Sequence, residues 1–165
     1  MTNCETKRTG TIVLRHRKHM KLKLAQIAHN DSENKFTVVK TGLKPYIDAV
    51  FGWDDDYQRE RLLTEYEPHW FYWVYCNHQK VGMLCFKEYE NSYHVHLLIV
   101  FPEFQRQGLG RHIMDYIHHL AKSELCNTVT LSSFICNEIA VGFYKKLGYA
   151  IRESDEYFYS LEFKL

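Results

Sequence analysis

The sequence offers no cysteine pair at metal or redox spacing: Cys4, Cys76, Cys85, Cys126 and Cys136 are odd in number, scattered, and free of any Cys-x-x-Cys. A disulfide frame and a metal centre are therefore not expected. With no leader-like segment in view, the thiols are expected to be reduced and the protein cytoplasmic. No apolar run approaches the roughly 18 residues that span a bilayer, so no membrane partner is expected. An excess of one charge is missing too. The 21 basic and 20 acidic residues leave a net charge of +1, and no global field draws the chain to nucleic acid. Repeats and linkers are absent as well.

What is present reads as one domain. Of the 165 residues, 45% are hydrophobic and 15% aromatic, enough for a substantial, sheet-rich core. Residues 1–19 differ from the rest, being polar and then basic at Arg15-His16-Arg17-Lys18-His19. They are expected to be an N-terminal extension, flexible or non-native, with a short strand at 11–14, and residues 20–165 are expected to be the domain.

The elements follow from periodicity and punctuation. Residues 21–27 alternate as a strand. Asn30 and Asp31 are placed to cap a helix running to about Gly42, and Pro45 to open a second through Phe51. Asp54, Asp55 and Asp56 form the acidic first turn of a helix with Tyr57, Leu62 and Leu63. Strands are expected at 70–76 and 81–87 around a turn, at 95–100, at 128–133, at 150–154 and at 157–163. Asn137 caps a helix that Gly148 terminates. The order predicts a mixed α/β fold, a largely antiparallel sheet with helices on both faces.

One stretch organises this pattern. The strand at 95–100 stops at Pro102, and Gln105-Arg106-Gln107-Gly108-Leu109-Gly110-Arg111 leads into a helix carrying Ile113, Met114, Ile117, Leu120 and Ala121. A glycine-containing loop at a helix N-terminus presents free N–H groups and a positive dipole end to an anion, typically phosphate. It is not a Walker loop, because Arg111-His112 stands where Lys and Ser or Thr are needed. It is not a dinucleotide fingerprint either, having two glycines of the three required.

The pattern Gln-x-x-Gly-x-Gly after strand-x-Pro resembles the acetyl-CoA pyrophosphate loop of the GNAT N-acetyltransferase superfamily. A second segment, Asn137-Glu138-Ile139-Ala140-Val141-Gly142-Phe143-Tyr144-Lys145-Lys146-Leu147-Gly148-Tyr149, is similar to the superfamily's Asn-x-x-Ala-x-x-x-Tyr-x-x-x-Gly-Phe/Tyr, and the two fall in the same order. The resemblance covers residues 21–165. It implies a GNAT fold, with a central twisted sheet of six to seven strands splayed at the cofactor site. It further implies an acetyl-CoA-dependent N-acetyltransferase in which a primary amine attacks the thioester directly. Leu98, Ile99 and Val100 would then contact the cofactor through the backbone, residues Gln105, Arg106, Gln107, Gly108, Leu109, Gly110 and Arg111 would cradle its pyrophosphate, and Asn137 would bind the pantetheine arm. Asn137 is equally a plain helix cap. Tyr144, two turns on, would protonate the departing thiolate, or is a core tyrosine. A CoA-binding sensor without turnover is the alternative function.

The general base is where this chain departs from the family pattern. The strand that carries a glutamate in some members reads Leu131-Ser132-Ser133, and the position on the central strand that carries one in others is His94. His94 and His96, two apart on one strand face, are the candidate bases, with pKa values suited to neutral pH. The segment lining the acceptor side carries Trp53, Asp54, Asp55, Glu65 and Tyr66, an acidic and aromatic set that would attract a cation. The same acids are sufficiently explained as helix caps and surface residues. The partners implied are a small cationic amine, an amino acid or a peptide N-terminus, with a homodimer left open.

Overall fold

The computed structural model describes residues 20–165. The basic run and the strand expected at 11–14 lie outside the described residues. Seven strands and four helices follow in the order β1 (Leu22–Gln26), α1 (Ser32–Val50), α2 (Asp55–Thr64), β2 (Phe71–Cys76), β3 (Gln79–Tyr89), β4 (Ser92–Val100), α3 (Leu109–Ser123), β5 (Thr128–Phe134), α4 (Glu138–Leu147), β6 (Ala150–Ser154) and β7 (Phe158–Lys164). They form one sheet in the order β1-β2-β3-β4-β5-β7-β6. Only β4 and β5 run parallel; every other neighbouring pair is antiparallel.

Each sheet face has its own core. On one side Val74, Leu84, Phe86, Tyr93 and Val95 pack against Ile113, Met114 and Ile117 of α3 and Tyr144 of α4. On the other, Phe71, Trp73, Met83, Cys85 and Leu97 pack against Phe36 and Val39 of α1 and Leu62 of α2. The middle of β3, residues 81–86, is buried on both faces except for the side chain that Gly82 lacks, so it reads as a continuous apolar run rather than an alternating one.

Two local expectations are corrected. The break at Gly42 and the restart at Pro45 do not occur, since α1 is continuous to Val50 with Pro45 inside it. Pro45 has no N–H for the carbonyl of Thr41, yet a single lost bond does not end a helix whose buried stripe continues to Ile47. Gly42 marks a close crossing instead: a Cβ there would come 2.9 Å from Ile99 Cδ1 on β4. Asp31 occupies the N-cap position without bonding the helix backbone. Its carboxylate accepts the Trp73 indole N–H at 2.7 Å and the Asn34 side-chain amide, tying the helix start to β2. By contrast, Asn77 and His78, both at positive φ (48° and 70°), make the two-residue turn that closes the β2–β3 hairpin.

Two irregularities in β4 position everything that follows. It pairs with β5 only from Ser92↔Thr128 to Val95↔Leu131. Beyond that rung β4 stays with β3 and β5 stays with β7, and the two strands part. At the same level the β3–β4 register slips, with Phe86 facing Val95 but Cys85 facing Leu97, so His96 is the extra residue of a β-bulge. Val95 and Leu97, two apart, therefore belong to opposite cores.

Gly82 sits beside the fork with no room for a side chain, since a Cβ would lie 2.3 Å from the Ile99 carbonyl oxygen. Because that neighbour is backbone, Gly82→Ala is expected to destabilise by at least the roughly 1–3 kcal/mol typical of overpacking. Gly42→Ala, which meets the Ile99 side chain (Cδ1, Cγ1 and Cγ2 at 2.9 to 3.2 Å) and no backbone, should cost less. Urea midpoints of the two variants test this, and an equal or reversed ranking contradicts it.

Candidate active site

Beyond β4 the chain makes a 3-10 turn at Pro102–Phe104 and is fastened back by the Gln105 side-chain amide, which donates to the Val100 carbonyl at 2.9 Å. Arg106 (φ 60°) and Gly108 (φ 82°) are left-handed, which curls the backbone into the start of α3. The first helical bond of α3 runs from the His112 N–H to the Gly108 carbonyl at 3.2 Å. The N–H groups of Leu109, Gly110 and Arg111 thus have no acceptor within the helix. A Cβ on Gly108 would meet nothing within 4 Å, so open space lies in front of it. Gly110 also has a packing role: a Cβ there would press to 3.1 Å on the Phe143 ring, so its bareness lets α3 pack on α4. Arg111 turns to the Lys146 carbonyl at the end of α4, at 3.5 Å.

The fork supplies an extended edge to match this anion cradle. Leu98, Ile99 and Val100 are hydrogen-bonded to β3 on one side and have lost β5 on the other. Asn137 is the N-cap of α4, its side-chain oxygen accepting the Ala140 N–H at 3.1 Å. Tyr144 lies on the same helix, nearly buried, its ring edge-on to Phe143 and Tyr149. Burial pushes the Tyr144 phenol up, so it holds its proton throughout the neutral range. An open cradle of free N–H groups at the end of an unpaired strand edge fits a phosphate-bearing ligand with an extended arm. The protonated phenol stands on α4, in the core on the α3 face of the sheet.

On the α1–α2 side of the fork stand the two histidines, brought together as their spacing predicts, with ring centroids 4.7 Å apart. His94 Nδ1 lies 2.9 Å from Thr130 Oγ1 across the last rungs of the β4–β5 pairing. His96 stacks on Trp70 (9° between planes, 5.4 Å) and meets Tyr66 edge-on. Its Nε2 is buried without a hydrogen-bond partner. Burial first, then the neighbouring His94 and Lys87, lower its pKa to about 4. Burial and Lys87 lower that of His94 as well. Both rings are neutral at pH 7. Trp70, Lys87 and Thr130 were not singled out in the sequence. The short Glu90-Asn91 turn, which fixes Lys87 opposite His94, is the signal that would have found Lys87.

The acidic set expected to bind a cation is engaged elsewhere. Asp54 caps α2, accepting the Tyr57 N–H at 2.7 Å. Asp55 is held by Lys40 at 2.8 Å and by the Trp53 indole, whose ring packs near Phe36. Glu65 pairs with Arg61 at 2.9 Å. Only Tyr66 of that segment reaches the histidines. A cavity of about 580 Å³ along α1 and α2 is lined by Lys40, Lys44, Asp48, Asp55 and Arg59 among others, and by no residue of the fork or cradle. At the far end of β5, Phe134 joins Tyr46 and Phe51 to Tyr157 and Phe158, an aromatic bridge from the end of α1 to the β6–β7 turn.

Comparison with known proteins gives three findings. A model of the acetyltransferase (GNAT) family matches residues 31–149. The N-terminal acetyltransferase B complex catalytic subunit naa20 of Schizosaccharomyces pombe is 40% identical over 58 residues, 35% of this chain and 32% of that protein. The match thus spans about a third of the relative's length. Among solved structures, the PaiA N-acetyltransferase of Thermoplasma acidophilum, in complex with coenzyme A, superposes with a TM-score of 0.69 at 15% identity, covering 87% of this chain and 99% of that one. The ribosomal-protein-S18-alanine N-acetyltransferase of Escherichia coli gives 0.62 at 14%, covering 87% and 93%. At such identities these two structures speak for the fold.

Two outcomes follow from the site's geometry. Gly108→Glu places bulk and negative charge in the open cradle and should abolish coenzyme A binding in a folded protein; unchanged calorimetric affinity would contradict the assignment. His96 titrates at about 4 in the folded protein against an ordinary 6.5. Protonation therefore favours the unfolded chain, and its share of stability is complete above 6.5 and lost as pH falls toward 4. His96→Phe keeps the stacking and removes the titration. Urea midpoints should fall less steeply between these pH values than in the parent; an identical slope would count against it.

Proposed function

The chain belongs to the acetyltransferase (GNAT) family, and on that premise we propose that it is an acetyl-CoA-dependent N-acetyltransferase acting on the free amino group of a peptide N-terminus. In this reading residues 20–165 are the catalytic domain and residues 1–19 an extension of it. The described cysteines are free thiols, which suits a cytoplasmic protein.

Bound acetyl-CoA supplies an acetyl group as a thioester, whose sulfur leaves with a negative charge. The cradle from Gln105 to Arg111 binds the pyrophosphate through N–H groups, and the Leu98–Val100 edge and Asn137 orient the pantetheine arm. Backbone N–H groups near Ile99 and Val100 polarise the carbonyl in the manner of an oxyanion hole. Tyr144, kept protonated by burial, is the proton donor, and His94 or His96 takes the proton that the acceptor amine releases.

The observation that carries the choice of acceptor is that both histidines are held neutral and made weaker bases than usual. Deprotonating a lysine-like ammonium of pKa near 10.4 costs about 5 kcal/mol at pH 7, whereas an α-amino group near 7.7–8.0 costs about 1. Weak bases suit the second. The internal pairing of Asp54, Asp55 and Glu65 removes support from a small cationic amine as acceptor, and the partial identity to naa20 points the same way as the amine chemistry.

A panel of peptides with free and blocked N-termini, lysine-like amines and arylamines, read by release of free CoA, tests the proposal. Unblocked peptides should turn over best. Preference for lysine-like amines would overturn the acceptor, and binding of acetyl-CoA without transfer to any amine would favour a sensor. Tyr144→Phe should lower turnover by ~10²–10⁴-fold, as for a lost general acid, with acetyl-CoA affinity intact. A fall of less than about threefold would remove Tyr144 from that role.

A further inference from the structure

Across the sheet, just before the fork opens, one row of polar side chains is in register. Lys87 on β3 faces His94 on β4, His94 faces Thr130 on β5, and Thr130 faces Glu162 on β7. Register partners project to the same face with their Cβ atoms about 5 Å apart. That face is the α1–α2 side, because Val129 and Leu131, flanking Thr130, belong to the opposite core. The row thus runs from a cation through an imidazole and a hydroxyl to a carboxylate. Glu162 is anchored at its far end by Arg152, at 2.7 Å.

We infer that Thr130 is a positioning residue that commits His94 to the tautomer with its proton on Nδ1, leaving the Nε2 lone pair to take the acceptor's proton. In this assignment Oγ1 offers a lone pair to the His94 Nδ1–H, 2.9 Å away, and the hydroxyl's own hydrogen turns to the side of its register partner Glu162. A neutral imidazole in that field is favoured with its N–H toward the anion and its bare nitrogen toward the cation. When Nε2 takes a proton the ring becomes an imidazolium, its Nδ1–H stays on Thr130, and the proton on Nε2 passes on to solvent. His96, wedged between Trp70 and Tyr66, is the neutral wall that keeps the ring in place. The inference rests on the N-acetyltransferase reading for its catalytic meaning, but the tautomer is measurable without turnover.

The test uses the full chain with ¹⁵N-labelled histidine. In the parent protein, ring ¹⁵N shifts should assign the neutral His94 proton to Nδ1. Thr130→Val, equal in shape but without the hydroxyl, should move the population toward Nε2–H, and Thr130→Ser should restore it. With the best acceptor, Thr130→Val should lower kcat by about tenfold, less than the roughly 10²–10⁴-fold expected for losing the base itself, while Thr130→Ser stays near the parent. In a His94→Ala background the Thr130→Val change should add nothing. A parent ring protonated on Nε2, or a tautomer unmoved by Thr130→Val, overturns the inference. So does a Thr130→Val loss of equal size with and without His94. A confirmed tautomer alongside full activity in His94→Ala overturns its catalytic half and the histidine base together, leaving acetyl transfer itself standing.

Discussion

The structure turns on a conflict of loyalties among backbone hydrogen bonds. β4 is bound along its length to β3, and β5 along its length to β7, while β4 and β5 share only four rungs. Past Leu131 each strand keeps its outer partner and abandons the other. Unpaired backbone groups in a protein interior cost about 1–3 kcal/mol apiece when nothing satisfies them. A fork in the middle of a sheet is therefore stable only where water or a ligand reaches it, and in the proposed function the extended arm of the coenzyme would complete the broken ladder as a missing strand would. The cradle of α3 lies at the end of the same strand, so one departure from regular pairing sets both the edge and the turn that presents the helix's first N–H groups.

The second organising force is desolvation. The histidines, Tyr66 and Tyr144 stand on opposite sides of the fork in places where charge is disfavoured. The Tyr144 phenol keeps its proton on one face and the imidazoles, with Tyr66 beside them, remain without one on the other, which sets a donor on one side and acceptors on the other before any ligand arrives. Lys87 reinforces this division. Its ammonium lies 4.7 Å over the Trp70 ring on which His96 stacks, a placement that satisfies the cation while opposing a second positive charge on either histidine.

Much of this was legible in the sequence because it is encoded locally. The order of elements, the Gly148 terminator, the Asn137 cap and the loop after Pro102 depend on side chains and their immediate neighbours. Where the reading failed, a distant partner decided the outcome. Gly42 and Pro45 look like punctuation until Ile99 is seen lying across the helix. Asp31 looks like a cap until Trp73, 42 positions away, takes its carboxylate. The acids of α2 look free until Lys40 and Arg61 are brought beside them. The histidine pair was found through simple alternation, although the strand that carries it does not alternate simply. Thr130 joins the histidines only through sheet register and Trp70 only by stacking on His96, and no local pattern records either.

The bulge at His96 has a consequence for how such a chain can vary. It acts as a phase shift in the strand: the two-residue rhythm that sends Tyr93 and Val95 to one core is reset, so that Leu97 belongs to the other. Losing the extra residue itself would restore simple alternation and leave Leu97 to Val100 on their present walls. Adding or removing one residue in the regular stretch after it would leave composition and hydrophobicity almost untouched, yet exchange the walls of the side chains leading to Pro102. The number of residues between Leu97 and Val100 is thus under tighter constraint than the identity of most of them. Substitution along this strand is a matter of degree, whereas a change of length is a change of which wall the chemistry is built on.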